Sequence, residues 1–375
     1  MFSREQNRKT AVWALTPKAA ELALGIQKSM PETDIFFSSA LVKTAIPAIY
    51  FDRLSDEISL CFHNYSGHIF IMSAGIAVRM IAPLLCHKTT DPAVVVMDEL
   101  GLHAISLISG HIGGANELAK KIAEITGAVP VITTATDINQ VPAIDLIAKN
   151  LGLHIENPAA IKHISMALLT GKKIFLHDPF GLLTDKLPES CLFHPDANQK
   201  YPKNMPGVFA DDRIVALPDH VLILRPPSLA AGMGCNRGTE TEEMKNLLVE
   251  TLKKYDLSIH SLHTLASVDI KKDETGLTAL AKELGIDPVF YDRESLKQVP
   301  GIENPSLMVE KHIGVPSVCE AAAILASGNG ELIVPKHSSK NVTVAIARKK
   351  YMESEKYSSF TNFCPLQNSM EECKN

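Results

Sequence analysis

Short apolar runs alternate with amphipathic segments along the first third of the chain. The apolar runs predict strands at Ala11–Leu15, Asp34–Phe37, His68–Met72, Ala93–Asp98, Ala104–Ile108 and Val129–Thr133. Thr16 and Pro17 predict the start of a helix, because the N–H that proline lacks would be unpaired at that position anyway. Ala115–Thr126 has apolar residues on one helical face and ends at Gly127, a residue typical of a helix C-cap. The alternation favours an α/β fold with a mainly parallel sheet.

The pattern changes after residue 138 and returns at Ser228. Between residues 139 and 227, only Asn157–Leu169 and Lys173–His177 predict regular elements. Eight prolines follow between residues 179 and 227, so we expect a small lobe with long loops. A strand at Leu229–Ala231, a turn and a patterned helix at Thr239–Tyr255 then restore the alternation. Later elements are predicted at Ser261–Ala266, Thr275–Leu284, Val289–Tyr291, Ser317–Ala326, Leu332–Val334 and Val342–Ala347.

These patterns predict two α/β domains with mainly parallel sheets, joined by a smaller middle lobe. The N-terminal α/β domain is expected at residues 1–138 and the middle lobe at 139–227. The C-terminal α/β domain is expected at 228–348 and a polar tail at 349–375.

Composition and charge narrow the class of protein. Hydrophobic residues make up 46% and charged residues 21% of the 375 residues, which is ordinary for a globular protein and excludes a disordered one. The net charge of −5 argues against a nucleic-acid binder, and seven scattered cysteines without a C-x-x-C pair argue against a disulfide framework or structural zinc. The longest apolar run, Ile69–Val78, is much shorter than the roughly 20 residues of a membrane span. We expect a cytoplasmic protein that binds neither nucleic acid nor a membrane.

The stretch DELGLHAISLISGHIGGAN, residues 98–116, carries the strongest candidate chemistry. Its glycines Gly110, Gly113 and Gly114 allow backbone N–H groups to approach a ligand, and the following helix start, with Asn116, favours an anion. His111 can exchange protons near neutral pH. The alternative is a turn whose glycines serve tight packing and whose histidine only forms hydrogen bonds.

This stretch begins with an acidic pair, Asp98 and Glu99, at the end of the preceding strand. If that strand and the next are parallel neighbours, the carboxylates and His111 gather at one edge of the sheet. We expect Glu99 and His111 to be the catalytic residues, with Glu99 favoured over Asp98 because its longer stem reaches further past the strand end.

A second glycine-rich stretch, GMGCNRG at residues 232–238, precedes a helix with a possible capping box at Thr239 and Glu242. Its third glycine is one place late for a dinucleotide loop, so an anion-binding turn formed by Gly232, Gly234, Arg237 and Gly238 is favoured over a nucleotide site. Cys235 is either a thiol of lowered pKa or, more commonly, a small buried residue. Arg79, in an apolar helix, is expected either to pair with a carboxylate of the fold or to bind a substrate carboxylate.

Together these blocks resemble the cobalt-precorrin-5A hydrolase family of the anaerobic cobalamin pathway. The resemblance rests on SAGIAVRMIAPLL, SGHIGGAN within its setting, TTATD at 133–137, LAAGMGCNRGTETEEM and GVPSVCEAAAIL, and it spans roughly residues 12–348. It implies a hydrolase that opens the δ-lactone of a cobalt-bearing tetrapyrrole and expels acetaldehyde, giving cobalt-precorrin-5B. It also implies that the cobalt belongs to the substrate, that the protein itself binds no metal or other cofactor, and that other enzymes of the pathway are candidate partners.

The expected reaction needs proton transfer and anion binding, which the candidate residues can supply. Glu99 and His111 are the acid–base candidates, and the two glycine-rich turns with Arg79 and Arg237 are expected to hold the carboxylates of the substrate in one large cleft. Two other classes remain open. A corrinoid carrier would use the same turns without a base, and a nucleotide-dependent α/β enzyme would use residues 232–238 as a phosphate loop.

Overall fold

The structure is a computed structural model that describes residues 9–41, 47–87, 90–193, 204–300, 302, 304 and 317–351. The described residues up to 146 form one compact unit, and those from 147 onward form a second. The predicted tail lies outside the described residues beyond Tyr351, as does the 314–316 part of the GVPSVCEAAAIL block.

The first unit contains a seven-stranded sheet in the order β3-β2-β1-β4-β5-β6-β7. Its strands are β1 (Thr10–Ala14), β2 (Thr33–Ser38), β3 (Ile49–Phe51), β4 (Gly67–Ile71), β5 (Ala93–Met97), β6 (His103–Ile108) and β7 (Val129–Val131). Its helices are α1 (Pro17–Ser29), α2 (Leu54–Cys61), α3 (Ala74–Ile81), α4 (Ala115–Thr126), α5 (Ala135–Ile138) and α6 (Ile144–Asn150), which continues into the second unit. The α/β fold class predicted from the alternation is confirmed.

Helices cover both faces of this sheet. Helices α1 and α4 pack on one face through Ala23 and Ala119, and α2 and α3 pack on the other through Ile58 and Ile81. Every residue of β5 is buried, which explains its unbroken run of apolar residues. The helix start at Thr16 is confirmed, since its side chain accepts a hydrogen bond from the backbone N–H of Ala19.

The pairing of Glu99 with His111 assumed that β5 and β6 are parallel, and the structure shows that they are not. Strand β6 is antiparallel to β5, with Met97 opposite Ala104 and Val94 opposite Ile108, and β7 is parallel to β6. A tight turn joins β5 to β6, and Gly101 provides its positive φ of 69°. The turn after β5 and the turn after β6 therefore lie at opposite edges of the sheet.

The second unit contains two sheets, of which the first is the four-stranded sheet of the middle segment, in the order β8-β11-β10-β9. Its strands are β8 (His154–Ile155), β9 (Phe175–His177), β10 (Gly207–Ala210) and β11 (Val221–Arg225), and its helix is α7 (Ile161–Leu169). Residues 178–193, which follow β9, contain no strand of this sheet, in keeping with the expected long loops, but the sequence analysis missed β10 and β11. The prolines at 206 and 226 border these strands rather than interrupt them, a position that leaves the ladder hydrogen bonds intact.

The other sheet has five strands in the order β14-β13-β12-β16-β15. Its strands are β12 (Leu229–Cys235), β13 (Leu262–Val268), β14 (Pro288–Tyr291), β15 (Glu331–Ser338) and β16 (Val342–Arg348). Its helices are α8 (Thr241–Lys254), α9 (Thr275–Leu284), α10 (Arg293–Lys297) and α11 (Val318–Ala326). Strand β12 pairs with β13 in parallel and with β16 in antiparallel fashion.

Two local predictions in this region were wrong. Strand β12 continues to Cys235, so most of the expected glycine-rich turn is strand. Helix α8 has Glu240 at its N-cap with no side-chain cap hydrogen bond, and the Thr239 hydroxyl donates to the carbonyl of Asn236 instead. The capping box is therefore absent at this helix start.

A buried carboxylate joins the two sheets of the second unit. Asp212, fully buried after β10, accepts hydrogen bonds of 2.8 Å from Nε and Nη2 of Arg348 in β16 and one of 2.7 Å from the Ser228 hydroxyl. This contact links the middle and C-terminal segments within the second unit, and the three-domain boundaries stay a prediction. Within the described residues, no helix combines the length and apolar character needed to cross a membrane.

Candidate active site

The turn between β6 and α4 fixes the position of His111. Ser109 has a φ of 59° and Gly114 a φ of 88°, and a Cβ at Gly113 would collide with Ser109. The backbone N–H groups of Gly114, Ala115 and Asn116 donate to the carbonyls of His111, Ser109 and Gly110 at 2.9–3.0 Å. These amides are thus already bonded inside the turn, and the glycines serve its tight geometry. Substrate binding by this turn stays a prediction.

His111 lies between two carboxylates. Its Nε2 atom is 3.1 Å from Oδ2 of Asp137 and 2.8 Å from the hydroxyl of Thr136. Its Nδ1 atom is 3.8 Å from Oδ2 of Asp145. Because a carboxylate only accepts hydrogen bonds, the Asp137 contact favours the tautomer that carries the proton on Nε2. That tautomer leaves the Nδ1 lone pair able to accept a proton.

Besides His111, two side chains hold the Asp137 carboxylate in place. The Thr134 hydroxyl donates to Oδ2 at 2.6 Å, and the Asn116 amide donates to the same oxygen at 3.0 Å. The Asn116 carbonyl in turn accepts from the Ser106 hydroxyl at 2.6 Å. Burial by itself would raise the pKa of Asp137, but the hydrogen bonds from Thr134 and His111 and the charges of His111 and Lys120 hold that pKa below its ordinary value. Asp137 is therefore an ionised partner for the imidazole.

A cavity of about 260 Å³ opens beside this pair. His111, Asn116, Lys120, Thr136 and Asp137 line it together with apolar residues from 141 to 146. The side chains of His111 and Asp137 are 24% and 28% exposed, so both are reachable from the cavity while remaining fixed by their neighbours. We call this the imidazole cavity.

Glu99 lies elsewhere in the same unit. It is exposed and accepts a 2.9 Å hydrogen bond from the Thr16 hydroxyl, at the edge of the sheet where β5 ends and β6 begins. Since His111 follows the other end of β6, the five residues of β5 separate the two edges by ~16 Å. The structure does not bring Glu99 and His111 together, because the premise of parallel strands was wrong.

Asp98 stabilises the β5–β6 turn. Its carboxylate accepts from the backbone N–H groups of Leu100, Leu102 and His103 at 2.8–3.2 Å. Burial opposes ionisation, but these hydrogen bonds outweigh it and lower the pKa of Asp98. The sequence analysis missed Asp137 as the partner of His111, although Asp137 follows β7, the parallel neighbour of β6, and that position was the available signal.

The second glycine-rich stretch lines a different cavity, of about 470 Å³, within the second unit. Gly234 and Arg237 line it, and we call it the lysine cavity after Lys271, Lys336 and Lys340, which line it too. Arg237 is exposed and lies 3.0 Å from Asp273.

Two of the predicted binding glycines have structural partners. Gly232 packs so closely on α11 that a Cβ would overlap the carbonyl oxygen of Cys319. The N–H of Gly238 donates to Glu274 at 2.8 Å. The Gly238 amide is thus already bonded to a carboxylate, which argues against the nucleotide alternative, and binding by Gly232, Gly234, Arg237 and Gly238 stays a prediction.

The structure also bears on the predictions made for Cys235, for Arg79 and for a common cleft. Burial raises the pKa of the Cys235 thiol, so the alternative of a lowered pKa was wrong. Arg79 is exposed on α3 and its guanidinium lies 3.5 Å from the Gly75 carbonyl, so its binding role stays a prediction. The glycine-rich turns line cavities in separate units, and a common cleft stays a prediction. Among the described residues, no group of three or more His, Cys, Asp or Glu is arranged to hold a metal ion.

Comparison with known proteins supplies the family. Models described as Cobalamin synthesis G N-terminal, Cobalamin biosynthesis central region and Cobalamin synthesis G C-terminus match residues 56–137, 142–226 and 229–347. The chain is 33% identical to a cobalt-precorrin-5A hydrolase of Priestia megaterium, over 91% of this chain and 95% of that protein. It is 34% identical to the protein of that name from Salmonella typhimurium, over 90% of this chain and 96% of the relative.

A solved structure is also similar to one part of the chain. The crystal structure of CobE, a protein from the cobalamin biosynthetic pathway, shares 36% identity over 32% of this chain and 94% of that one, with a TM-score of 0.31. The family models and the full-length relatives together cover the three segments of the sequence. The chain therefore belongs to the cobalamin synthesis G family, and it is a hydrolase that functions in cobalamin biosynthesis.

Proposed function

We propose that this protein is a cobalt-precorrin-5A hydrolase. It opens the δ-lactone of a cobalt-bearing tetrapyrrole and releases acetaldehyde, and the product is cobalt-precorrin-5B. Two relatives with this name, aligned over nearly their whole length, support the substrate. The observation that carries the chemistry is the imidazole of His111, held between Asp137 and Asp145 at the wall of a cavity.

In the first step, His111 acts as the general base. Asp137 accepts the proton-bearing Nε2–H, so Nδ1 takes a proton from water as the water oxygen bonds to the lactone carbonyl carbon. The ring C–O bond then breaks, and the imidazolium returns the proton to the departing alkoxide oxygen. The products are a hydroxyl group and a carboxylic acid, which ionises in water. Asp145, 3.8 Å from Nδ1, stabilises the transient imidazolium.

The second step reuses the same base. The new hydroxyl gives its proton to His111 while the adjacent carbon–carbon bond breaks in retro-aldol fashion. The bonding electron pair moves into the conjugated ring of the substrate, acetaldehyde leaves, and the ring takes up the proton. Cobalt enters this reaction as part of the substrate, and the protein contributes proton transfer and binding.

Substrate binding is proposed for the remaining candidates. The turn with Gly110, Gly113, Gly114 and Asn116 borders the imidazole cavity. Because the amides of Gly114, Ala115 and Asn116 are bonded within the turn, we propose that the turn positions the substrate rather than binding its charge. Arg237 supplies a cation at the lysine cavity, and Arg79 an exposed one on α3.

A single-turnover assay tests the proposal. Purified protein is mixed with the lactone-bearing cobalt intermediate, acetaldehyde is quantified, and the tetrapyrrole product is identified by its mass. We expect one acetaldehyde per macrocycle. Tight binding of the intermediate without acetaldehyde release would contradict the proposal and support a corrinoid carrier instead.

A further inference from the structure

The lysine cavity is strongly basic. Four cationic side chains line it, namely those of Arg237, Lys271, Lys336 and Lys340. Among the described residues that line it, none carries a carboxylate. Like charges gathered around one cavity repel each other, so such an arrangement is favourable when an anion occupies the space between them.

Only part of this positive charge is neutralised by the protein. Arg237 lies 3.0 Å from Asp273, and the Nζ of Lys271 lies 3.7 Å from Glu274. Within the described part of the chain, neither Lys336 nor Lys340 has a carboxylate within 4.0 Å of its ammonium group. Neither lysine is therefore held in a close ion pair, although the charge of Lys340 does act on the Glu243 carboxylate, whose pKa is lowered chiefly by its hydrogen bonds from Asn341 and Ser339.

Three acidic side chains of this region accept hydrogen bonds from groups other than the lysine ammonium groups. Glu274 accepts from the backbone N–H of Gly238, and Glu243 accepts from Ser339 and Asn341 in the turn between β15 and β16. Glu320, fully buried in the first turn of α11, accepts from the backbone N–H of Lys336. These contacts fix the backbone at Lys336 and the turn that carries Lys340.

The start of helix α11 also favours an anion in the lysine cavity. Its first residue, Val318, and its N-cap, Ser317, both line the cavity. The Ser317 side chain makes no cap hydrogen bond and instead contacts Sγ of Cys319 at 3.6 Å. The positive end of the helix dipole thus faces the same space as the lysines, which favours an anion there.

We propose that the lysine cavity binds carboxylate groups of the ligand through Lys336 and Lys340, with Lys271, Arg237 and the start of α11 completing the positive surface. The identity of the ligand as a carboxylate-bearing tetrapyrrole rests on the proposed function. The volume of about 470 Å³ lies in the range of roughly 300–1,000 Å³ that is usual for small-molecule sites. Its lining residues differ from those of the imidazole cavity, and carboxylate binding by them needs no group that transfers protons.

Equilibrium binding of uroporphyrin III to the full chain tests this proposal. Its ring carries acetate and propionate arms, and its fluorescence reports binding directly. We expect Lys336→Gln and Lys340→Gln each to weaken binding about tenfold, because each removes one charge-assisted hydrogen bond. Lys253→Gln is the matched control, since Lys253 is an exposed lysine of α8 outside the cavity. Coproporphyrin III, in which methyl groups replace the acetates, should bind more weakly.

The outcomes separate this inference from the proposed function. Unchanged dissociation constants in both lysine variants, with the protein folded by circular dichroism, would overturn the carboxylate site. Tighter binding of ATP or inorganic phosphate than of uroporphyrin III, lost in the same variants, would overturn it in favour of a phosphate ligand. A wild-type protein that releases no acetaldehyde would contradict the proposed function but leave these binding results standing.

Discussion

The imidazole cavity combines a titratable imidazole with fixed carboxylates, whereas the lysine cavity is lined by cations and lacks any carboxylate among its described lining residues. The first arrangement suits proton transfer, because a base needs a partner that fixes its tautomer and stabilises the charge it gains. The second suits anion binding, because its charges attract a ligand and exchange no proton with it. Each cavity lies within its own unit, so the two roles can be tested separately.

The largest expected effect comes from His111. We expect His111→Gln to lower the rate of acetaldehyde release by about 10²–10⁴, the usual loss on removal of a general base. Binding of uroporphyrin III should be unchanged. His103→Gln is the matched control, since His103 pairs with Asp98 at the opposite end of β6. Near-normal turnover of the His111 variant would contradict the proton-transfer role of the imidazole cavity.

The next largest effect is expected for Asp137, with a loss of rate at the lower end of the range given for His111. Asp137→Asn removes the negative charge of the group that fixes the His111 tautomer and replaces one oxygen by an NH₂ donor, so we expect a loss of about 10²-fold in turnover. The pKa of Asp137 is lowered in the folded protein, so its contribution to stability is present above its unfolded pKa of about 3.9. That contribution is lost as the pH falls through the lower folded pKa.

Acid unfolding of the two proteins measures this contribution. The difference in unfolding free energy between wild type and Asp137→Asn should be constant above about pH 5 and should shrink below about pH 4. A difference that grows as the pH falls would contradict the ionised state assigned to Asp137.

Gly232 tests whether the glycine-rich stretch beside the lysine cavity serves packing. We expect Gly232→Ala to destabilise the protein by about 1–3 kcal/mol, because the added Cβ overlaps backbone atoms of α11. Urea unfolding measures the change. The control is Gly25→Ala, where no atom lies within 4 Å of the added Cβ and a helical alanine is favourable. A stable Gly232→Ala variant with weakened ligand binding would support a binding glycine instead.

Glu99 should have the smallest effect. Glu99→Gln changes one exposed hydrogen bond with Thr16, far from His111, so turnover is expected to stay within about threefold of wild type. The same acetaldehyde assay applies. If a folded Glu99→Gln variant lost about 10²-fold in turnover, Glu99 would be a catalytic residue after all. The reaction would then depend on residues at both edges of the sheet.

Local physical chemistry in the sequence determined many elements of this fold. Helix α4 has its predicted bounds, Ala115–Thr126, and ends at Gly127 with a φ of 76°, because the apolar spacing and the glycine act within a few residues of each other. The start of α1 at Pro17 and the bounds of α9 were also determined locally. The SGHIGGAN block and its neighbours, read together, were enough to indicate the family.

The partners of the functional residues were decided only by the tertiary structure. A strand pattern specifies neither its neighbour nor its direction, so the antiparallel pairing of β5 and β6, which separates Glu99 from His111, was not visible in the sequence. Asp137 reaches His111 across 26 residues because β7 lies beside β6 and returns the chain to the same edge. The lysine cavity arises in the same way, since Lys271 follows β13 while Lys336 and Lys340 come from β15 and its turn. Residues so far apart in the chain meet only when the sheet forms, because the sheet fixes which strand ends share an edge.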